Sequence, residues 1–435
     1  MDVATTHPTP GTHTERSQMD ALVITGGRSI SGRVAISGAK NAALPVMAAT
    51  LLMPGKHRLR NVPQLLDTRT FAKVLETLGA KIVFSGDECT IDTTHLSSVE
   101  APYELVKTMR ASIYVLGPLL ARMGAAKVSL PGGCAWGPRP VNLHLTGLAA
   151  LGAQLEIEHG YIVGDKIKLK GANFNFDVVS VGATAQMMMA AVLAEGTTVL
   201  ENVAIEPDIT VLGEVLNACG ARIDGLDTRR LTIRGVTELS PIDTAIIPDR
   251  IEAATFAAAA AMTGGSITLE RVVPEHIEAA LLKLEECGCQ VVREVDEVTV
   301  TGPPRPHAVD VTTMPYPGFP TDMQAQMMAV ASIASGTSVI TDTIYLDRFT
   351  HVAELGRMGA KIELKNNVAV VTGVDRLSGA PVMATDLRAS AALALAALVA
   401  EGETKISRIY HLDRGYEQFD AKLTALGAAV KRVRE

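Results

Sequence analysis

Ala389-Ser390-Ala391-Ala392-Leu393-Ala394-Leu395-Ala396-Ala397-Leu398-Val399-Ala400 runs straight into Glu401-Gly402-Glu403-Thr404. A helix over 389–400 carries no charge on any face, so it must be buried on most sides. Gly402 supplies the stop. The same phrase recurs upstream: 41–52 before Pro54-Gly55, 185–194 before Gly196-Thr197, and 323–334 before Gly336-Thr337. After each stop comes a β-rich stretch, then a second helix closing on glycine. The six closing glycines are Gly79, Gly152, Gly220, Gly288, Gly359 and Gly427, in steps of 73, 68, 68, 71 and 68 residues. A period near seventy means six copies of one α/β unit.

In the first copy the pattern predicts a helix over 41–52, a strand over 57–62, a helix over 67–78 and a strand over 81–84. Three such units can surround one core, with apolar helices inside and sheets facing out. Six copies in 435 residues divide into two groups of three. The expected division is a disordered extension over 1–18, one domain from 19–39 joined to 248–435, and a second domain over 40–247.

The second copy departs from the others. From the glycine ending its first helix, Gly124, to its closing glycine it spans 28 residues, against 23 to 25 in the other five. The excess falls in Pro131-Gly132-Gly133-Cys134-Ala135-Trp136-Gly137-Pro138-Arg139-Pro140, which has no periodicity and reads as a surface loop. It holds a thiol, an arginine and the single tryptophan of the chain.

Composition excludes several classes of function. A net charge of −7 argues against a nucleic-acid or anionic-membrane partner. Apolar runs such as 253–262 and 389–400 are too short to span a bilayer, so no membrane insertion is expected. Residues 1–18 lack the apolar segment of a signal peptide, which points to the cytoplasm. Five cysteines, at 89, 134, 219, 287 and 289, do not form a disulfide framework in a chain this long, and four of them read as small packing residues.

Polar signatures mark the starts of the first helices: Gly38-Ala39-Lys40-Asn41, Thr108-Met109-Arg110, Ser180-Val181-Gly182, Pro248-Asp249-Arg250, Pro320-Thr321-Asp322 and Thr385-Asp386-Leu387-Arg388. Free N–H groups there favour anions. Capping accounts for Thr321 and Thr385. It does not account for Lys40, Arg110 and Arg388, because the helix dipole disfavours cations at that end.

Four stretches carry a family resemblance: Gly38-Ala39-Lys40-Asn41-Ala42-Ala43-Leu44-Pro45, the Cys134 loop with Arg139-Pro140, Gly318-Phe319-Pro320-Thr321-Asp322-Met323-Gln324, and Asp413-Arg414-Gly415-Tyr416-Glu417. Through them the chain resembles the UDP-N-acetylglucosamine 1-carboxyvinyltransferases. The resemblance implies an inside-out α/β barrel of two three-unit domains, in agreement with the sixfold count. It implies transfer of the enolpyruvyl group of phosphoenolpyruvate to the 3′-hydroxyl of UDP-N-acetylglucosamine, the committed step of peptidoglycan precursor synthesis, with no cofactor and no metal.

It further implies that Cys134 protonates the phosphoenolpyruvate methylene carbon, forms a covalent adduct with that substrate, and is alkylated by fosfomycin. Asp322 corresponds to the carboxylate that receives the sugar hydroxyl proton, as base or as orienter. Lys40, Asn41, Arg139, Arg388 and Arg414 correspond to phosphoenolpyruvate-binding positions. Arg110, Arg139, Pro140, Val141, Asn142, Leu143, Val178, Val179, Ser180, Val181, Asp322 and Ile344 correspond to nucleotide-sugar positions. Asn142 and Val178 depart from the acidic and basic residues common there. Further candidates are His144, Arg348 and Asp386. Two alternatives are a 5-enolpyruvylshikimate-3-phosphate synthase-like enzyme, whose Gly-Asn-Ala-Gly-Thr signature is missing, and a non-catalytic repeat scaffold.

Overall fold

The computed structural model describes residues 20–107, 109–130 and 141–435. Cys134, Arg139, Pro140 and the rest of 131–140, together with 1–19, lie outside the described residues, and so does the side chain of Arg110. Among the described residues the repeats deliver six four-stranded sheets of one design. In the first, Lys56–Arg60 and Lys81–Ser85 flank Glu88–Asp92 antiparallel, and Asp243–Ala245 joins Lys56–Arg60 in parallel at the edge. A short parallel edge strand followed by antiparallel neighbours recurs in the other five.

Two sheets borrow strands from the beginning of the chain. Gly32–Ala35 lies at the edge of the fourth sheet beside Ser266–Glu270. Asp20–Thr25 lies between Glu403–Ser407 and Ala429–Arg434 in the sixth, pairing Asp20 with Arg434. The sixth unit therefore lacks the second hairpin strand that its five siblings supply from their own sequence.

Beneath the sheets lie the first helices of the units: α1 (Lys40–Ala49), α2 (Leu116–Met123), α3 (Val181–Ala191), α4 (Arg250–Thr263), α5 (Gln324–Ile333) and α6 (Leu387–Val399). As its uncharged run requires, α6 is buried continuously from Arg388 to Leu398. Alanine permits close approach of such helices. The limit is reached at Gly117 in α2, where a Cβ would stand 2.9 Å from the carbonyl oxygen of Gln186 in α3. Two hydrophobic cores result, one around α1 to α3 and one around α4 to α6 with the borrowed strands.

The boundaries differ from the sequence expectations by at most three residues. The predicted helix over 41–52 is α1 plus a 3₁₀ turn, Thr50–Leu52. The strand over 57–62 is Lys56–Arg60, the helix over 67–78 is Leu66–Thr77, and the strand over 81–84 is Lys81–Ser85. All six closing glycines hold φ between 88° and 104°, a region that a Cβ disfavours. That requirement is why the period shows in the sequence as glycine.

The chain passes between the two halves at two adjacent crossings. Gly38 and Pro248 pair antiparallel, with Ala39 N–H donating to Ile247 at 2.7 Å and Asp249 N–H to Ser37 at 2.8 Å. A Cβ on Gly38 would stand 1.8 Å from the Asn61 carbonyl oxygen, so the crossing needs glycine. The buried Glu252 accepts Ser37 N–H at 2.7 Å and Lys422 Nζ at 2.5 Å. This anchorage fixes where α1 begins, and its first residue is Lys40.

Candidate active site

Lys40 leaves the crossing with its ammonium 3.4 Å from Asp67 Oδ2. Asp67, in the first turn of Leu66–Thr77, also accepts from Arg414 Nε at 2.8 Å. Arg414 belongs to the other half, on the 3₁₀ segment Ile409–Arg414. Burial pushes the Lys40 ammonium below the usual lysine range; Arg388 and Arg414 add to this, while Asp67 and Asp322 oppose it. Lys40, Arg388, Arg414 and Asp322 thus share one electrostatic neighbourhood despite their distance in sequence.

Asp322 sits in the 3₁₀ turn Thr321–Met323 ahead of α5. It makes no capping bond. Oδ1 accepts from Arg348 Nη1 at 2.7 Å and Oδ2 from Arg388 Nη2 at 2.8 Å. Burial alone would raise its pKa, but the two guanidiniums, Arg388 foremost, hold the carboxyl well below the usual range. Asp322 is therefore ionised at neutral pH. Arg388 is 2% exposed and lies over the Tyr416 ring at 5.4 Å. Its Nε and Nη1 are buried without a hydrogen-bond partner among the described residues. Buried guanidinium donors left unpaired are costly, and an anion at that spot would satisfy them.

The capping expectation for Thr321 and Thr385 is corrected. Thr321 Oγ1 donates instead to Asp342 at 2.7 Å, and Thr385 Oγ1 pairs with Thr350 Oγ1 at 2.9 Å. The caps are Asp386, which accepts from Arg388 and Ala389 N–H; Asp249, which accepts from Ile251 and Glu252 N–H; and Ser180, which accepts from Ala183 N–H. An aspartate can present a charged oxygen to two amides of the first turn, which a threonine hydroxyl cannot. Arg110 opens a 3₁₀ segment, Arg110–Val115, and α2 starts only after it. Of the cations at helix starts, Lys40 is explained by Asp67 and Arg388 by Asp322, which offset the unfavourable dipole.

The remaining candidates are divided between the two halves. Asn142 is exposed at the head of Asn142–Ala150, with Val141 and Leu143 half-buried. His144 packs toward the start of α3, where a Cβ on Gly182 would stand 3.3 Å from its ring. Val178 is exposed, and Val179, Ser180 and Val181 are half-buried. In the other half, Ile344 is 36% exposed. Asn41 is half-buried in α1, and Pro45 removes the amide that would otherwise bond the Asn41 carbonyl. Sequence reasoning missed Asp67 and Asp342. Asp67 was visible only as a helix start, and its partner Arg414 is 347 residues away.

Four cations, Lys40, Arg348, Arg388 and Arg414, thus face two carboxylates where the halves meet. The unpaired Nε and Nη1 donors of Arg388 among them are suited to an anion carrying phosphate or carboxylate.

A family model described as EPSP synthase (3-phosphoshikimate 1-carboxyvinyltransferase) matches residues 24–423. The chain is 57% identical over 417 residues to the UDP-N-acetylglucosamine 1-carboxyvinyltransferase of Geobacter metallireducens, covering 96% of this chain and 100% of that one. It is 53% identical over 417 residues to the protein of the same name from Myxococcus xanthus, covering 95% and 99%. Among solved structures, the enolpyruvyl transferase NikO from Streptomyces tendae superposes with a TM-score of 0.87 at 26% identity, over 96% of this chain and 100% of that one. EPSP synthase from Acinetobacter baumannii shares the fold, with a TM-score of 0.74 at 17% identity over 95% and 100%.

Proposed function

The chain belongs to the UDP-N-acetylglucosamine 1-carboxyvinyltransferases, and from that premise we propose that it transfers the enolpyruvyl group of phosphoenolpyruvate to the 3′-hydroxyl of UDP-N-acetylglucosamine and releases phosphate. The reaction is the first step toward peptidoglycan precursors, and with it go roles in cell shape and division. The reading places the enzyme in the cytoplasm, where the four described cysteines would remain the free thiols they are.

The observation that carries the mechanism is Asp322 held between Arg348 and Arg388. Each pKa unit below the ordinary value costs about 1.4 kcal/mol when the carboxylate takes a proton. A group held this low is a poor base and a good hydrogen-bond acceptor. We therefore assign Asp322 to orienting the sugar hydroxyl against C2 of phosphoenolpyruvate. Lys40, Arg388 and Arg414, with Asn41 and Arg139, would receive the phosphate and carboxylate of that substrate. Protonation of its methylene carbon falls to Cys134, whose thiol also accounts for the covalent adduct and for alkylation by fosfomycin. Positive charge develops at C2 as the Cys134 proton arrives at C3, and the sugar oxygen bonds to C2. The bond from C2 to the phosphate oxygen then breaks, phosphate leaves carrying the hydroxyl proton, and the Cys134 thiolate takes back a C3 proton, which restores both the double bond and the thiol. The nucleotide sugar would span the two halves, with Arg110, Arg139, Pro140, Val141, Asn142, Leu143 and the segment Val178, Val179, Ser180, Val181 on one side and Ile344 on the other. His144, Arg348 and Asp386 support these positions.

Phosphate release from both substrates tests the reading. Release is expected with UDP-N-acetylglucosamine and not with shikimate 3-phosphate; the reverse result would overturn it. Cys134→Ser should slow turnover about 10²-fold or more and abolish fosfomycin labelling. Labelling retained in that variant would show that another thiol reacts.

A further inference from the structure

Asp342 follows the strand Thr337–Thr341 and is fully buried. Its carboxylate accepts four hydrogen bonds. Oδ1 takes Thr313 Oγ1 at 2.8 Å and the N–H groups of Ile344 and Tyr345 at 2.9 Å each; Oδ2 takes Thr321 Oγ1 at 2.7 Å. A hydroxyl has one proton to give, so a Thr321 that donates to Asp342 presents only lone pairs elsewhere. Arg348 Nη1 donates to that same oxygen at 3.1 Å and to Asp322 Oδ1 at 2.7 Å.

We propose that Asp342 and Thr321 form a positioning relay for the transfer reaction: Asp342 sets the polarity of the Thr321 hydroxyl, which aims Arg348 at Asp322, while the same carboxylate shapes the turn carrying Ile344. The relay rests on the roles assigned above to Asp322 and Ile344. Its chemistry depends on a full carboxylate. An amide at 342 could turn its NH₂ toward Thr321, which would send the hydroxyl proton toward Arg348 and set two donors against each other. Seating of the nucleotide sugar and alignment of the group that receives its hydroxyl are thereby joined through one buried side chain.

Steady-state phosphate release from the full-length enzyme tests the relay. Thr321→Val keeps the side-chain shape and removes both hydroxyl bonds. It should lower kcat about tenfold or more while leaving KM for UDP-N-acetylglucosamine within about threefold. Thr321→Ser restores the hydroxyl and should return kcat to within about threefold of wild type. Asp342→Asn should lower kcat by a similar factor and also raise that KM, on the order of tenfold. In the double variant, kcat should fall no more than about threefold below the slower single variant, because both changes cut one chain. Wild-type kcat in Thr321→Val, a serine variant as slow as the valine variant, or losses that multiply in the double variant would each overturn the relay. If Asp342→Asn does not fold, the valine and serine pair decides alone. Absence of phosphate release from wild type would overturn the assigned reaction instead, before any variant is compared.

Discussion

Asp67 and Asp322 each hold two cations, but they join different parts of the molecule. Asp67 pairs with Lys40 in its own half and with Arg414 in the other, whose side chain is 28% exposed. Asp322 binds Arg348 and Arg388 within one half, with those side chains 8% and 2% exposed. The second cluster is complete whatever the separation of the halves. The first exists only when they meet. The site thus combines an acceptor held within one half with a cation group that spans both, and substrate phosphate would compete with Asp67 for that group.

The sharpest way to break this contrast is Asp322→Ala. It strands two buried guanidiniums, so unfolding free energy should fall by about 3–5 kcal/mol. Turnover should fall on the order of 10²-fold or more through lost alignment. Denaturant melts and phosphate release check both. Arg414→Ala attacks the other cluster and should separate the two readouts. KM for phosphoenolpyruvate is expected to rise about 10- to 100-fold, from the loss of a charged hydrogen bond. Stability should change by less than about 1 kcal/mol because that pair is partly solvated. Equal destabilisation by the two substitutions would erase the distinction.

Acid gives a smaller effect with a different origin. His57 is buried in the first half, where Nδ1 accepts Ile242 N–H at 3.0 Å and Nε2 meets Thr93 Oγ1 at 2.9 Å. Burial pushes its pKa down to about 4. The unfolded chain, with an ordinary histidine near 6.5, takes the proton first as pH falls. Stability is therefore full above about 6.5 and declines toward pH 4, by about 2–3 kcal/mol from this residue. Asp322, whose pKa is also lowered but by the arginines that favour its charged form, stays ionised through that window and keeps them. Melts of His57→Gln, flatter between pH 6.5 and 4 than wild type, would bear this out; identical slopes would sink it.

The architecture was legible because it recurs. A left-handed turn needed six times selects glycine six times, and helices buried all round select alanine, leucine and methionine over most of their length, so both leave a periodic trace. Four motifs likewise identified the family, and the polar starts of the first helices singled out Lys40, Arg110 and Arg388 as cations that capping does not account for. Pairings across the fold left no such trace. Arg414 and Asp67 are 347 residues apart, and nothing local to Asp67 distinguishes it from an ordinary first-turn aspartate. Asp342 was equally silent, since a residue after a strand reads as a turn. Thr321 and Thr385 misled for a related reason: each stands beside an aspartate, and which side chain turns toward the helix is settled by tertiary partners such as Asp342 and Thr350.

The strand Asp20–Thr25, seated between Glu403–Ser407 and Ala429–Arg434, imposes a timetable on biosynthesis. The half built on α1 to α3 takes its edge strand from Asp243–Ala245 and has all its sheet partners once that segment clears the ribosome. The other half cannot close then. Its inner strand is made early and has no partner until Glu403–Ser407 emerges, about 20–80 s later at ordinary elongation rates. For that interval Leu22 and Ile24, both wholly buried in the finished sheet, are exposed on a nascent chain, where a holdase that binds short apolar segments would find its most persistent target.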